Sequence, residues 1–130
     1  MKNTEMIKRI SALAERDPRY RREAYFFMLA SLEYTLEQIQ TVRHLSGQEL
    51  SRGIAEYARH QYGWLARPVL EHWGIRSTSD FGEIVYLLID EGLMSKTEEE
   101  RREDFDNVYD FETEFSWENS KPSRFPERFE

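Results

Sequence analysis

The seven residues Ala24-Tyr25-Phe26-Phe27-Met28-Leu29-Ala30 are apolar on every side of the helix they would form. No other feature of the chain restricts its fold as sharply. A helix that is apolar all round is stable in water only when other helices surround it. The rest of the 130 residues must supply those neighbours. Chains of this size bury about 70% of the surface their unfolded form exposes, so one domain around one core is expected.

The surrounding pattern has the right period. Met6, Ile7, Ile10, Leu13 and Ala14 recur at three- and four-residue intervals, which predicts an amphipathic helix over 4–16. Asp17-Pro18 interrupts it. With Asp17 as N-cap and Pro18 in the first position, the second helix is expected from Pro18 to Val42. Ser46-Gly47-Gln48-Glu49 matches a capping box, in which hydroxyl and carboxylate satisfy free N–H groups reciprocally. Behind it Leu50, Ile54, Tyr57, Ala58 and Tyr62 form the stripe of a third helix that ends at Gly63. Pro68 would remove a backbone bond from a continuous helix. A fourth helix over 64–73 is therefore expected after a break at Gly63, with Gly74 as its stop. Ser79 or Asp80 should cap a fifth helix, with Phe81, Ile84, Val85, Leu88 and Ile89 inward and Gly92 closing it.

Beyond Gly92 the period changes. Leu93–Thr97 and Phe105–Phe111 read as two strands joined by a charged turn, with Phe105, Asn107, Tyr109 and Phe111 alternating imperfectly. A charged helix through Glu98–Glu103 is the competing reading. From Ser116 the chain is polar, with Pro122 and Pro126, and reads as an extended tail. The expected fold class is mainly α. It is a single five-helix domain over 1–115 with a small, winged-helix-like β-hairpin after the fifth helix, followed by an extended tail over 116–130.

Charge divides the chain. Residues 1–76 hold 12 Lys and Arg against 9 Asp and Glu, whereas residues 77–130 hold 6 against 16, within a net charge of −7. Charged residues make up 33% of the sequence, but 14% aromatics are too many for a disordered polyampholyte. The split suggests pairing within the molecule or a basic partner for the acidic end. Asp80, Glu83, Asp90, Glu91, Glu103 and Asp104 are the candidate partner-binding residues, and the expected partner is a protein with a basic surface.

Other function classes find less support. There is no cysteine, which rules out disulfides, thiolate-ligated metals and thiol catalysis. His44, His60 and His72 do not stand four residues apart, and no HExxH-type motif exists. His60 is read as facing a helix C-terminus and His72 as a half-buried packing residue. Neither a metal nor a cofactor is expected, and no catalytic residue is nominated. An enzyme without a recognisable constellation stays as a second alternative. The apolar runs Ala24–Ala30 and Ile84–Ile89 have seven and six residues, far short of the roughly 20 that a membrane span needs. The opening residues carry no apolar leader segment, so a soluble cytoplasmic protein is expected.

The order of helices followed by a hairpin also fits a winged-helix transcriptional regulator, the first alternative. Its recognition helix, however, would carry Asp80, Glu83, Asp90 and Glu91 and no Lys or Arg. Duplex DNA is disfavoured on that charge. Arg16, Arg19, Tyr20, Arg21 and Arg22 form the one basic patch with an interleaved aromatic, a composition suited to single-stranded RNA. A short cluster on an acidic chain is better read as covering the acidic rear or as solvated. The aromatics from Phe105 to Trp117 are expected to fold back onto the helices, while Phe125 and Phe129 are left open.

Several stretches together resemble a known family. Arg16-Asp17-Pro18-Arg19-Tyr20, His44-Leu45-Ser46-Gly47-Gln48-Glu49-Leu50, Leu70-Glu71-His72-Trp73-Gly74-Ile75 and Asp80-Phe81-Gly82-Glu83-Ile84-Val85 carry the likeness. Gly92-Leu93-Met94-Ser95-Lys96-Thr97 and Glu103-Asp104-Phe105 extend it across residues 16–115. They are similar to a small family of uncharacterised proteins restricted to Verrucomicrobia and Planctomycetes. The resemblance implies a bacterial, cytoplasmic protein, and it carries no activity, cofactor or catalytic residue to this chain.

Overall fold

In the computed structural model, which describes residues 3–120, the apolar segment lies in the middle of a helix, Arg22–Ile39 (α2). Three others pack on it: Asn3–Arg16 (α1), Gly47–Tyr62 (α3) and Thr78–Asp90 (α5). Ala24, Tyr25 and Met28 are completely buried among them, together with Ile10, Ile54 and Ile84. The short helix Ala66–His72 (α4) packs on α3 after a 3-10 turn over Gly63–Leu65. The mainly helical class is as the periodicity indicates.

Several boundaries follow their sequence signals closely. The Ser46 hydroxyl accepts the Glu49 backbone N–H at 3.0 Å, and the Glu49 carboxylate accepts the Ser46 N–H at 2.9 Å. Both halves of the capping box at the start of α3 are made. At the end of α4, Ile75 N–H bonds to the Leu70 carbonyl and Gly74 N–H to that of Glu71, with Gly74 at φ +97°. This paired closure needs a left-handed residue, which glycine supplies without strain.

Other boundaries differ, and tertiary contacts account for each. α2 begins at Arg22 rather than Pro18, and ends at Ile39, with Gln40 left-handed at φ 57°, rather than at Val42. Residues 17–21 instead form a crossing segment. Tyr20 is drawn into the core at 3% exposure, and the Arg21 N–H donates to the Trp73 carbonyl at 3.1 Å. Asp17 does not cap α2; its carboxylate binds Arg19. At the start of α5 the N-cap is Ser77, whose side chain makes no cap bond, and not Ser79 or Asp80. The carboxylate of Asp80, in the first turn, accepts the N–H of Arg76, one residue before the N-cap, at 2.8 Å.

The expected β-hairpin does not form: among the described residues there is no strand. Nor does a charged helix run through Glu98–Glu103. Residues 93–101 are loop, a 3-10 turn covers Arg102–Phe105, and two single-turn helices follow at Phe111–Glu114 (α6) and Trp117–Ser120 (α7). The winged-helix reading loses its wing. The Val108 N–H, which a partner strand would have bound, donates to the Thr78 hydroxyl on α5. Phe111 and Phe115 are both buried while Thr113 between them is exposed, which a strand's alternation would not give, and the Asp110 carboxylate caps α6. The aromatics do fold back, with the Tyr109 hydroxyl donating to the Ser51 carbonyl of α3 at 2.7 Å. Residues 117–120, expected in an extended tail, are helical, while 121–130, including Phe125 and Phe129, lie outside the described residues.

Candidate functional site

The folding of the front of the chain across α5 decides which charges face outward. Arg19, in the crossing segment, places Nη1 3.0 Å from Glu83 and Nη2 2.7 Å from Asp17. Arg102 meets the other oxygen of Glu83 at 3.2 Å. At the far end of α5, Glu91 receives Arg16 at 2.5 Å, and Arg9 donates to its backbone carbonyl. Arg59 of α3 holds Glu114 at 2.8 Å. Basic front and acidic rear therefore clasp each other along α5. Pairs this exposed contribute no more than about 1 kcal/mol each, but they determine which groups remain for a partner.

Six acidic residues were nominated as partner-binding, and they separate into two groups. Asp80 accepts the Tyr20 hydroxyl at 2.5 Å as well as the Arg76 N–H, while Glu83 and Glu91 are engaged by arginines. Asp104 accepts the Arg101 backbone N–H at 3.2 Å. Asp90 and Glu103 are exposed and make no ion pair or side-chain hydrogen bond among the described residues. Glu98 and Glu99, which the sequence reading did not nominate, share that state. The signal that could have found them was their position in a run flanked by Thr97 and Arg101, with too few apolar residues to be drawn inward.

In the nominated nucleic-acid patch, Arg16 and Arg19 are held by acids, and the Arg21 Nε–H donates to the His72 carbonyl at 3.2 Å. Arg22 alone is exposed without such a partner among the described residues. Tyr20 offers no ring face for a base to stack on, because its ring is buried against Tyr25. Burial, and then the Asp80 hydrogen bond, push its phenol well above the usual tyrosine range. Stacking needs an accessible aromatic beside the cations, and the patch lacks one.

The histidines lie apart. The His44 Nδ1 is 3.6 Å from a Glu100 oxygen, His60 stacks on Tyr34, and His72 is exposed rather than half-buried. Among the described residues no group of three or more His, Asp or Glu is placed to hold a metal ion. No helix there is long and apolar enough to cross a membrane.

An open groove of about 360 Å³ lies between α2 and the 93–105 segment. The C-terminal half of α2 provides one wall with Leu32 and Leu36, and α5 provides the floor with Val85 and Tyr86. The 41–46 loop and the 93–105 segment complete it, with Leu45, Met94 and Phe105 facing in. Phe105 is seated against Gly82, where a Cβ would lie 3.0–3.1 Å from its side chain. The absence of a side chain at Gly82 thus lets the 3-10 turn close over α5 and shape the groove. His44 and Glu100 link the two outer segments across its rim. Val42, 92% exposed, continues the apolar surface outward. The Tyr86 hydroxyl is shielded from solvent and has no hydrogen-bond partner. Sequence reading missed the groove, because it assigned 93–111 to a hairpin.

Comparison with protein-family models, with curated proteins and with solved structures found no match.

Proposed function

We propose that this chain is a non-enzymatic protein-interaction module whose acidic segment meets a basic surface of a partner protein. One observation carries the reading. After the clasp along α5 has engaged Arg9, Arg16, Arg19 and Arg102, Glu98, Glu99 and Glu103 still stand exposed with no ion pair among the described residues. Adjacent, uncompensated carboxylates repel one another in the free protein, and a basic partner relieves that repulsion. The same field opposes a phosphate backbone.

Capture experiments with three baits test this. The wild type is compared with Glu98→Gln/Glu99→Gln/Glu103→Gln and with Glu5→Gln/Glu15→Gln/Glu23→Gln, a control of equal net charge whose residues are exposed on α1 and α2. A protein retained by the wild type and the control but lost from the first variant is the expected result. An identical set of proteins on all three baits, or retention only of nuclease-sensitive material, would refute the proposal.

A further inference from the structure

Two segments that carry unpaired carboxylates, α2 and 93–105, also line the groove, and their combination narrows the partner's chemistry. Glu33 and Glu37 are exposed on α2 and flank Leu36 and Val42. Glu98, Glu99 and Glu103 stand on the opposite, outer segment, beside Glu100 and Phe105 of the groove. None of these five carboxylates makes an ion pair or a side-chain hydrogen bond among the described residues. On the rim Arg43 is held by Glu49 at 2.8 Å, and His44 by Glu100. On the 93–105 segment Lys96 and Arg101 are exposed and make no salt bridge among the described residues, against Glu98, Glu99 and Glu103, and no cation of α2 stands beside Glu33 and Glu37, so the excess is acidic on both segments.

An apolar trough with carboxylates along both edges is complementary to an amphipathic helix with an aliphatic stripe flanked by Lys and Arg. We infer that the groove between α2 and the 93–105 segment binds a basic amphipathic helix of a partner protein. Aliphatic side chains of that helix fill the space over Val85, Leu36 and Met94, and its cations face Glu33 and Glu37 on one edge and Glu98, Glu99 and Glu103 on the other. A groove of about 360 Å³ holds a few side chains rather than a whole helix, so the partner lies across its mouth. The inference rests on the acidic-segment reading above and adds the apolar half of the recognition.

The test uses the full chain, labelled for NMR, and three synthetic peptides of about four helical turns. The first has Leu at i, i+3, i+4 and i+7 with Lys elsewhere. The second has the same composition with Leu dispersed, and the third has Glu in place of Lys. The first is expected to shift the resonances of Leu36, Val85 and Met94 and to bind at least about ten-fold more tightly than either other peptide. Val42→Asp, at a site too exposed to disturb folding, is expected to weaken it by about ten-fold, although the substitution adds negative charge. Equal binding of the dispersed basic peptide, or tighter binding to Val42→Asp, would overturn the groove while leaving the acidic-segment reading standing. Binding of the first peptide with no shift at the floor would do the same. No binding of the first peptide also overturns the groove, and the three-bait capture then decides the broader reading separately. A concentration-dependent dimer abolished by Val42→Asp would assign the groove to a second copy. Floor shifts produced by Phe125→Ala/Phe129→Ala without peptide would assign it to the chain's own end. Either overturns the inference.

Discussion

Gly53 of α3 faces Thr35 of α2 with no room for a side chain, and replacing it tests the packing directly. An alanine Cβ at this position would overlap the Thr35 hydroxyl and lie 2.7 Å from its Cγ2 and 2.8 Å from its Cβ. Thr35 is 7% exposed, and its hydroxyl donates to the Ser31 carbonyl at 2.7 Å, so rotating it away loses that bond. Overpacking of this kind costs about 1–3 kcal/mol, and the lost hydrogen bond about 1 kcal/mol more. Against these stands a gain of about 1 kcal/mol from replacing glycine by alanine inside a helix. The balance for Gly53→Ala is a loss of about 2 kcal/mol, or a fall in Tm on the order of 5–10 °C. Urea titration followed by circular dichroism measures the first and a thermal melt the second. Adding Thr35→Ala to Gly53→Ala removes the clashing hydroxyl and methyl, and should make the combined loss smaller than the sum of the two single losses. Gly53→Ala as stable as the wild type, or more stable, would refute this account of the α2–α3 contact.

Tyr20→Phe should lower stability at neutral pH by about 1 kcal/mol through the lost bond to Asp80, read by urea titration. In the folded chain burial and Asp80 raise the Tyr20 pKa, so the folded state keeps a proton that the unfolded state releases near pH 10. The stability this contributes is present below that pH and is lost as pH rises above it. Tyr20→Phe should therefore lose less stability than the wild type between pH 7 and 11, and parallel slopes would contradict the assignment. Tyr25, pushed up to about 12 by burial, keeps part of the alkaline slope in both proteins. Ser46→Ala should cost about 1 kcal/mol by breaking the capping box. Arg43, and then the Ser46 backbone N–H, lower Glu49 from 4.5 to about 2. Its contribution is present above pH 4.5 and is lost as pH falls towards 2. Glu49→Gln should flatten the acid limb of the stability curve in that window.

How far the sequence revealed the structure depended on where each decisive contact lay. The capping box at Ser46, the glycine stops at 63, 74 and 92, and the burial of Tyr25 and Met28 are local consequences of nearby residues, and all were legible. The start of α2 was not, because Pro18 is a good first helical residue by local rules and is overruled by Tyr20 inserting beside α5. The 105–115 segment misled for a related reason. Its aromatics alternate roughly like a strand, but Thr78 of α5 and Ser51 of α3 satisfy its polar groups, and neither neighbour is visible from within the segment. Charge was legible in bulk and not in detail. The basic front and acidic rear were plain from counting, whereas the pairing of Arg16 with Glu91 and of Arg19 with Glu83 depends on α1 and the crossing segment lying along α5. Those pairings occupy Glu91 and Glu83, two of the six acidic residues that looked available. The groove was illegible because segments distant in sequence bound it, one of them over the residues where a hairpin was expected.

The central claim is that the front arginines engage the acids of α5 and leave Glu98, Glu99 and Glu103 facing outward. Carbodiimide labelling of carboxylates, followed over time by mass spectrometry on the intact fold, measures this residue by residue. Glu98, Glu99 and Glu103 should label several-fold faster than Asp80, Glu83 and Glu91, and Arg16→Gln/Arg19→Gln should speed labelling of Glu91, Glu83 and Asp17 while leaving Glu98, Glu99 and Glu103 unchanged. Equal rates for the two groups, or rates that ignore the arginine substitutions, would contradict it.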